Sequence, residues 1–141
     1  MLRQHTTAQQ AICRGAPSVS ILVVDDNADV RGLLCALLEL EGYIAIAAQD
    51  GAEALELLAG IPPPAVILLD FMMPDMDGLD VVAALRADPE LASIPVVFVS
   101  ASPEMISTDL RVVSKPIIAE VLLRVVQECH GATAPVALPD H

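Results

Sequence analysis

Three aliphatic runs, each breaking off on a polar side chain, constrain this chain more than any other feature. Ile21-Leu22-Val23-Val24 runs into Asp25-Asp26, Ala65-Val66-Ile67-Leu68-Leu69 into Asp70, and Val96-Val97-Phe98-Val99 into Ser100. Four or five consecutive apolar residues without polar alternation suit a strand buried on both faces. Between the runs the apolar period becomes helical. Val30, Leu33, Leu34, Leu37 and Leu38 recur at i, i+3, i+4, i+7 and i+8, which is one face of a helix. Asn27 or Asp29 is its expected cap and Gly42 its expected end, with Gly32 inside it. Residues 44–48 read as a second strand, and Asp50 is placed to cap a helix over 51–58. Pro62-Pro63-Pro64 stops any helix before the third strand. A loop from Phe71 to Gly78 leads to a helix over about 79–87. Residues 110–113 form an expected fifth strand, and Ile118, Val121, Leu122, Val125 and Val126 mark the inner face of a closing helix.

Strands alternating with helices imply a parallel sheet covered on both faces, with right-handed crossovers. Five such units in 141 residues fit an α/β, flavodoxin-like, doubly wound sheet of strand order 2-1-3-4-5. With Tyr43, Phe71 and Phe98 as the whole aromatic supply, the core must be built from Leu, Val, Ile and Ala. The folded unit is expected over residues 19–130, with a flexible leader over 1–18 and a flexible, proline-containing tail over 131–141. In a sheet of this order a ligand site lies beyond the C-terminal strand ends, at the switch between strands 1 and 3. The acids stand there.

Composition narrows the function. A net charge of −12 repels a phosphate backbone, and no basic stripe offsets it, so nucleic-acid binding is not expected. Three cysteines without C-x-x-C spacing read as reduced thiols of a cytoplasmic protein. No apolar run approaches the roughly 18 residues that cross a bilayer, so no membrane association is expected.

Asp25-Asp26, Asp70, Ser100 and Lys115 each stand at a strand end. Taken singly, each has an ordinary explanation as a helix start, a turn former, a cap or a solvated lysine. Together they do not. Lys115 is the only lysine among seven basic residues, and it falls at the sheet edge where three carboxylates gather. Clustered carboxylates without a cation raise one another's pKa. A hard divalent ion and an ammonium resolve that conflict, and Mg²⁺ needs only one or two carboxylates, its remaining positions going to water and phosphate oxygens.

Asp25-Asp26-Asn27 after the first run, Leu69-Asp70-Phe71-Met72-Met73-Pro74-Asp75-Met76-Asp77-Gly78, Val99-Ser100-Ala101 and Ser114-Lys115-Pro116 together resemble the receiver domain of two-component response regulators. The resemblance covers about 19–129. It implies that Asp70 accepts a phosphoryl group, that Asp26 ligates Mg²⁺ directly and Asp25 through water, and that Met72 adds its backbone carbonyl. Ser100 then bonds the phosphoryl group, Ala101 leaves it room, and Lys115 pairs with one of its oxygens, the Lys115–Pro116 bond being cis. The implied donor is a sensor histidine kinase or a histidine phosphotransfer protein. The output is protein contact with an unidentified target, and the chain catalyses only its own phosphorylation and dephosphorylation. Other readings fit less well. A haloacid-dehalogenase-like phosphatase needs an acid where Met72 stands. The EF-hand register around Asp75 and Asp77 puts Met73 and Ala84 at its first and last ligand positions.

Two features depart from that family. Its usual switch aromatic, three residues before the lysine, is replaced by Val112. Fourteen residues separate Ser100 from Lys115, and the fifth strand uses four or five of them. What remains lies at the lower limit for a parallel crossover, about 10–12 residues, so the fourth helix is expected to be shortened or replaced by a loop. Both departures keep open an alternative function, a phosphorylation-independent binding module of the same fold.

Overall fold

The computed structural model describes residues 19–74, 76–108 and 110–132. The expected leader, and the tail from residue 133 onward, lie outside the described residues. The order is β1 (Ser20–Val24), α1 (Ala28–Leu40), β2 (Ile44–Ala48), α2 (Gly51–Leu58), β3 (Val66–Asp70), α3 (Gly78–Arg86), β4 (Val96–Ser100), a 3₁₀ turn (Pro103–Met105), β5 (Arg111–Ser114) and α4 (Ala119–Ala132). The five strands form one parallel sheet in the order β2-β1-β3-β4-β5.

Alternation along the central strands sorts the core into two layers. Leu22, Val24, Ile67, Leu69 and Phe98 face α2 and α3, together with Ala54, Val81 and Leu85. Ile21, Val23, Leu68, Val97 and Val99 face α1 and α4, together with Leu34, Leu38, Leu122 and Val126. Both faces of β1, β3 and β4 are therefore apolar, which is why these strands read as unbroken runs.

Local chemistry fixes the helix ends. Asn27, not Asp29, caps α1: its Oδ1 accepts from the Asp29 and Val30 amides at 2.9 and 3.1 Å. At the other end Gly42 adopts φ 92°. Its N–H donates to the Glu39 carbonyl and that of Tyr43 to the Leu38 carbonyl, a Schellman arrangement that needs the left-handed residue. Asp50 caps α2 by accepting from the Glu53 amide at 2.8 Å. Asp77 and Asp80 form a reciprocal capping box at α3.

Strand and helix limits fall at or within two residues of expectation. β3 and β4 end on Asp70 and Ser100 as expected, one residue past their apolar stretch, because the parallel ladder carries Asp70 opposite Val99 and Ser100 opposite Ser114. β5 is Arg111–Ser114 rather than 110–113, shifted by that same pairing. α3 starts at Gly78 and ends at Arg86, one residue before the expected limits at each end. α4 continues through Ala132, two residues beyond the expected limit of 130. The crossover from β4 to β5 holds only the three-residue 3₁₀ turn, as the shortage of residues requires. The Lys115–Pro116 peptide is cis. Among the described residues no helix is long and apolar enough to cross a membrane.

Candidate functional site

Register assembles the site. Val24 pairs with Leu69, so the next residue on each strand, Asp25 and Asp70, emerge side by side at the edge of the sheet. Asp70 pairs with Val99, and this brings Ser100 next to Phe71. Ser100 pairs with Ser114, and the Lys115 amide then donates to the Ser100 carbonyl at 2.8 Å. Four parallel strand ends deliver the acids, the hydroxyl and the ammonium to one cleft of about 430 Å³. Asp26, Asp70, Ser100, Ala101 and Lys115 line it, with Met72 and Met105 on its apolar walls.

The carboxylates of Asp25, Asp26 and Asp70 each bring an oxygen within 4.8 Å of the others. Asp25 is fully buried, Asp70 nearly so, and Asp26 is exposed. The Asn27 amide donates to Asp25 Oδ1 at 2.9 Å. Asp25 Oδ2 is buried and accepts no hydrogen bond of good geometry, although Lys115 Nζ stands 3.3 Å away as an ion-pair partner. Lys115 Nζ also donates to Asp70 Oδ1 at 3.5 Å, a long contact. Burial pushes Asp70 up from its ordinary 3.8 to about 6. The neighbouring Asp25 charge adds to the push, Lys115 opposes it, and a hydrogen bond and charge from Asp26 raise it further.

This arrangement fits a hard divalent cation. Three carboxylates face a single ammonium, more acid than Lys115 alone balances. The buried Asp25 Oδ2 is an acceptor whose hydrogen bonds are unmade. An all-oxygen set with one solvent-exposed member suits Mg²⁺, which keeps several waters. Asp26 and Asp70 are the residues that would hold it directly, with Asp25 behind them.

Ser100 is buried, and its Oγ accepts from the Ser102 amide at 3.0 Å. That contact uses a lone pair and leaves the hydroxyl proton to donate into the cleft. Ala101 is exposed at the rim. Val112 lies outside the cleft lining, half-buried and packed against the α2/α3 layer. The aromatics nearest the site are Phe71 and Phe98, edge to face with centroids 5.2 Å apart. Three participants are invisible to sequence reasoning about the site: Arg31, Asn27 and Met105. Arg31 Nη1 donates to the Asp25 carbonyl at 2.7 Å. Asn27 is legible as a helix cap, but not as the donor to Asp25. Met105 reaches the cleft wall from the end of the 3₁₀ turn.

Comparison with known proteins matches residues 21–127 to the family described as response regulator receiver domain. Response regulator MprA of Mycobacterium sp. (strain KMS) is 52% identical over 69 residues, covering 49% of this chain and 30% of that protein. The chain thus spans less than a third of that relative's length. Chemotaxis response regulator CheY4 of Vibrio cholerae superposes with a TM-score of 0.73 at 29% identity, over 80% of this chain and 99% of that one. A sensor protein from Polaromonas sp. JS666 gives a TM-score of 0.76 at 28% identity, over 84% of this chain and all of that one.

Proposed function

Because the chain belongs to the response regulator receiver domain family, we propose that residues 19–130 form a receiver that accepts a phosphoryl group on Asp70 from a phosphohistidine donor. The donor is a sensor histidine kinase or a histidine phosphotransfer protein, and the setting is cytoplasmic. The observation that carries this reading is that Asp70 shares one cleft with Asp26, Lys115 and buried Ser100, with the buried Asp25 carboxylate beside them. Met72 stands where a haloacid-dehalogenase-like phosphatase needs an acid, and the chain is read as catalysing only its own phosphorylation and dephosphorylation.

The residues divide the work as phosphoryl transfer requires. Above about pH 6 Asp70 is ionised, and one carboxylate oxygen attacks phosphorus in line with the departing imidazole nitrogen. The O–P bond forms as the N–P bond breaks, and the imidazole nitrogen keeps the electron pair. Lys115 Nζ, already between Asp25 and Asp70, turns its charge to a phosphoryl oxygen. Ser100 Oγ donates to another, and Ala101 leaves space beside it. When bound, Mg²⁺ neutralises charge on the transferring group and aligns it with Asp70. Asp26, Asp70 and the Met72 carbonyl are assigned as its protein ligands, with Asp25 acting through water.

Signalling must run without the usual aromatic swing, since Val112 occupies that position. The phosphoryl group carries roughly −1.5 to −2 charges beside Ser100 and Lys115, in place of the single charge of the Asp70 carboxylate. Their movement toward the group pulls on the 3₁₀ segment, where Ala101, Ser102, Glu104, Met105 and Ser107 are exposed and none of the described residues from 101 to 108 is fully buried. Hydrogen exchange with and without beryllofluoride, a phosphoryl mimic, tests this. Altered protection between Ala101 and Val113 is expected. Changes confined to Asp70 and the acidic pair would remove the short crossover as the readout. They would favour the second reading, a phosphorylation-independent binding module, for which Val112 and the single 3₁₀ turn are the specific support.

A further inference from the structure

The three-residue acidic loop leaves the sheet with its backbone tied at both ends. β1 stops at Val24, and the last ladder-like contact is the Asp25 amide donating to the Ala48 carbonyl at 3.2 Å. Beyond that point the sheet offers no donor for the Asp25 carbonyl. The Asp29 and Val30 amides of the first helical turn are committed to Asn27 Oδ1, and the Arg31 amide to the Asn27 carbonyl at 2.9 Å. The carbonyl is taken instead by the Arg31 guanidinium, at 2.7 Å. Arg31 lies one turn inside α1, and helical side chains lean toward the N-terminus, which carries the guanidinium back over the strand end. The bond is charge-assisted and partly buried, the stronger class of hydrogen bond.

That carbonyl belongs to the Asp25–Asp26 peptide. Whatever fixes its plane places the Asp26 Cα, the point from which the Asp26 side chain leaves the chain. Asp25 is packed and fully buried, but Asp26 is exposed, and its neighbours do not hold it by burial. We infer that Arg31 is a positioning residue of the acidic site: its guanidinium holds the Asp25–Asp26 peptide so that the Asp26 carboxylate stands beside Asp25 and Asp70. The inference rests on the reading of these carboxylates as a Mg²⁺ site, and it makes a prediction opposite in sign to simple electrostatics. A cationic side chain near a dication repels it, so deleting Arg31 on charge grounds alone should tighten Mg²⁺ binding. Loss of positioning should weaken it.

Isothermal titration of Mg²⁺ into the wild type, Arg31→Met and Arg31→Lys decides between them, with thermal melts to establish that each variant folds. Arg31→Met is expected to weaken Mg²⁺ binding roughly 10-fold or more, the scale for loss of an outer-shell partner. Arg31→Lys, which keeps the charge and one donor on a shorter stem, should fall between. Should Arg31→Met not fold, Arg31→Lys against wild type carries the comparison, and weaker binding is again required. Unchanged or tighter binding in a folded variant overturns the inference. A second readout needs no metal. In Mg²⁺-free protein, the Asp26 and Asn27 amides of the variant should exchange faster than in wild type, while those of Leu68 and Leu69 in β3 keep their rates. Equal exchange at Asp26 and Asn27 overturns the inference as well. If wild type itself binds no Mg²⁺, the reading of the site fails, and the exchange comparison still decides the role of Arg31.

Discussion

Asp70→Asn should make the metal-free protein more stable at pH 7, by about 1–3 kcal/mol. Asp70 has its carboxyl pushed from 3.8 to about 6 in the folded chain, so the folded state binds that proton more tightly than the unfolded state does. The stabilising contribution of the protonated form is complete below about pH 4 and is lost as pH rises through about 6. Above that the folded protein carries the full strain of a third carboxylate beside Asp25 and Asp26, only partly relieved by Lys115. An asparagine of nearly the same shape removes the charge. Urea unfolding of both proteins without Mg²⁺ should therefore give curves that coincide near pH 4 and separate by pH 7, with the variant above. Adding Mg²⁺ should raise wild type and leave the variant almost unmoved. A variant less stable than wild type at pH 7 would mean that Asp70 is held as a structural ion pair with Lys115, not as a poised, repelled carboxylate.

Asp26→Ala is expected to cost most of the Mg²⁺ affinity. Even at the dielectric of water a unit pair at 4 Å is worth about 1 kcal/mol, so a dication and a carboxylate are worth about 2 kcal/mol, roughly thirtyfold in Kd. Asp25→Asn should lose less. One Asp25 oxygen is occupied by the Asn27 amide and the other is already opposed by Lys115, so its charge is largely spent inside the protein. Isothermal titration of the two variants gives the order directly. Equal losses, or a larger loss at Asp25, would reverse the assignment of inner and outer ligand.

Much of this arrangement is legible in the residues, for a physical reason. Strands buried on both faces must be continuously apolar, and the first polar residue after each run marks where the sheet meets solvent. Asp25, Asp70 and Ser100 therefore locate the site before any coordinates exist. Parallel register then forces them together, because three adjacent strands end at the same level. The limit of β5 is less legible by one residue. Apolarity stops at Val113, whereas pairing continues through Ser114. Between Asn27 and Asp29 both cap chemistries are sound, and only the chain direction after β1 selects Asn27. Arg31 is beyond reach of such reasoning, since its partner is a backbone carbonyl and carries no side-chain signature. The same holds for the Asn27 amide on Asp25. The short crossover, by contrast, is simple counting: fourteen residues between Ser100 and Lys115 leave no room for a full helix beside a strand.

The cleft also departs from a purely polar phosphoryl site. Met72 and Met105, 69% and 77% exposed, form apolar walls on its two sides. Met105 is the last residue of the 3₁₀ turn that stands in place of a full fourth helix. The segment proposed as the readout thus borders the same cleft as Asp70, so that in this proposal no relay through Val112 is required.

Asp70 is proposed to take the phosphoryl group and to need Mg²⁺ to do so. Intact-mass measurement after incubation with acetyl phosphate tests it most directly, on wild type with Mg²⁺, wild type with Mg²⁺ chelated, and Asp70→Asn with Mg²⁺. One added phosphoryl group is expected on wild type with the metal, and none in the other two. The same addition on Asp70→Asn would place the acceptor elsewhere. No addition to wild type in any condition would contradict the phosphoacceptor reading and leave the fold as a binding module.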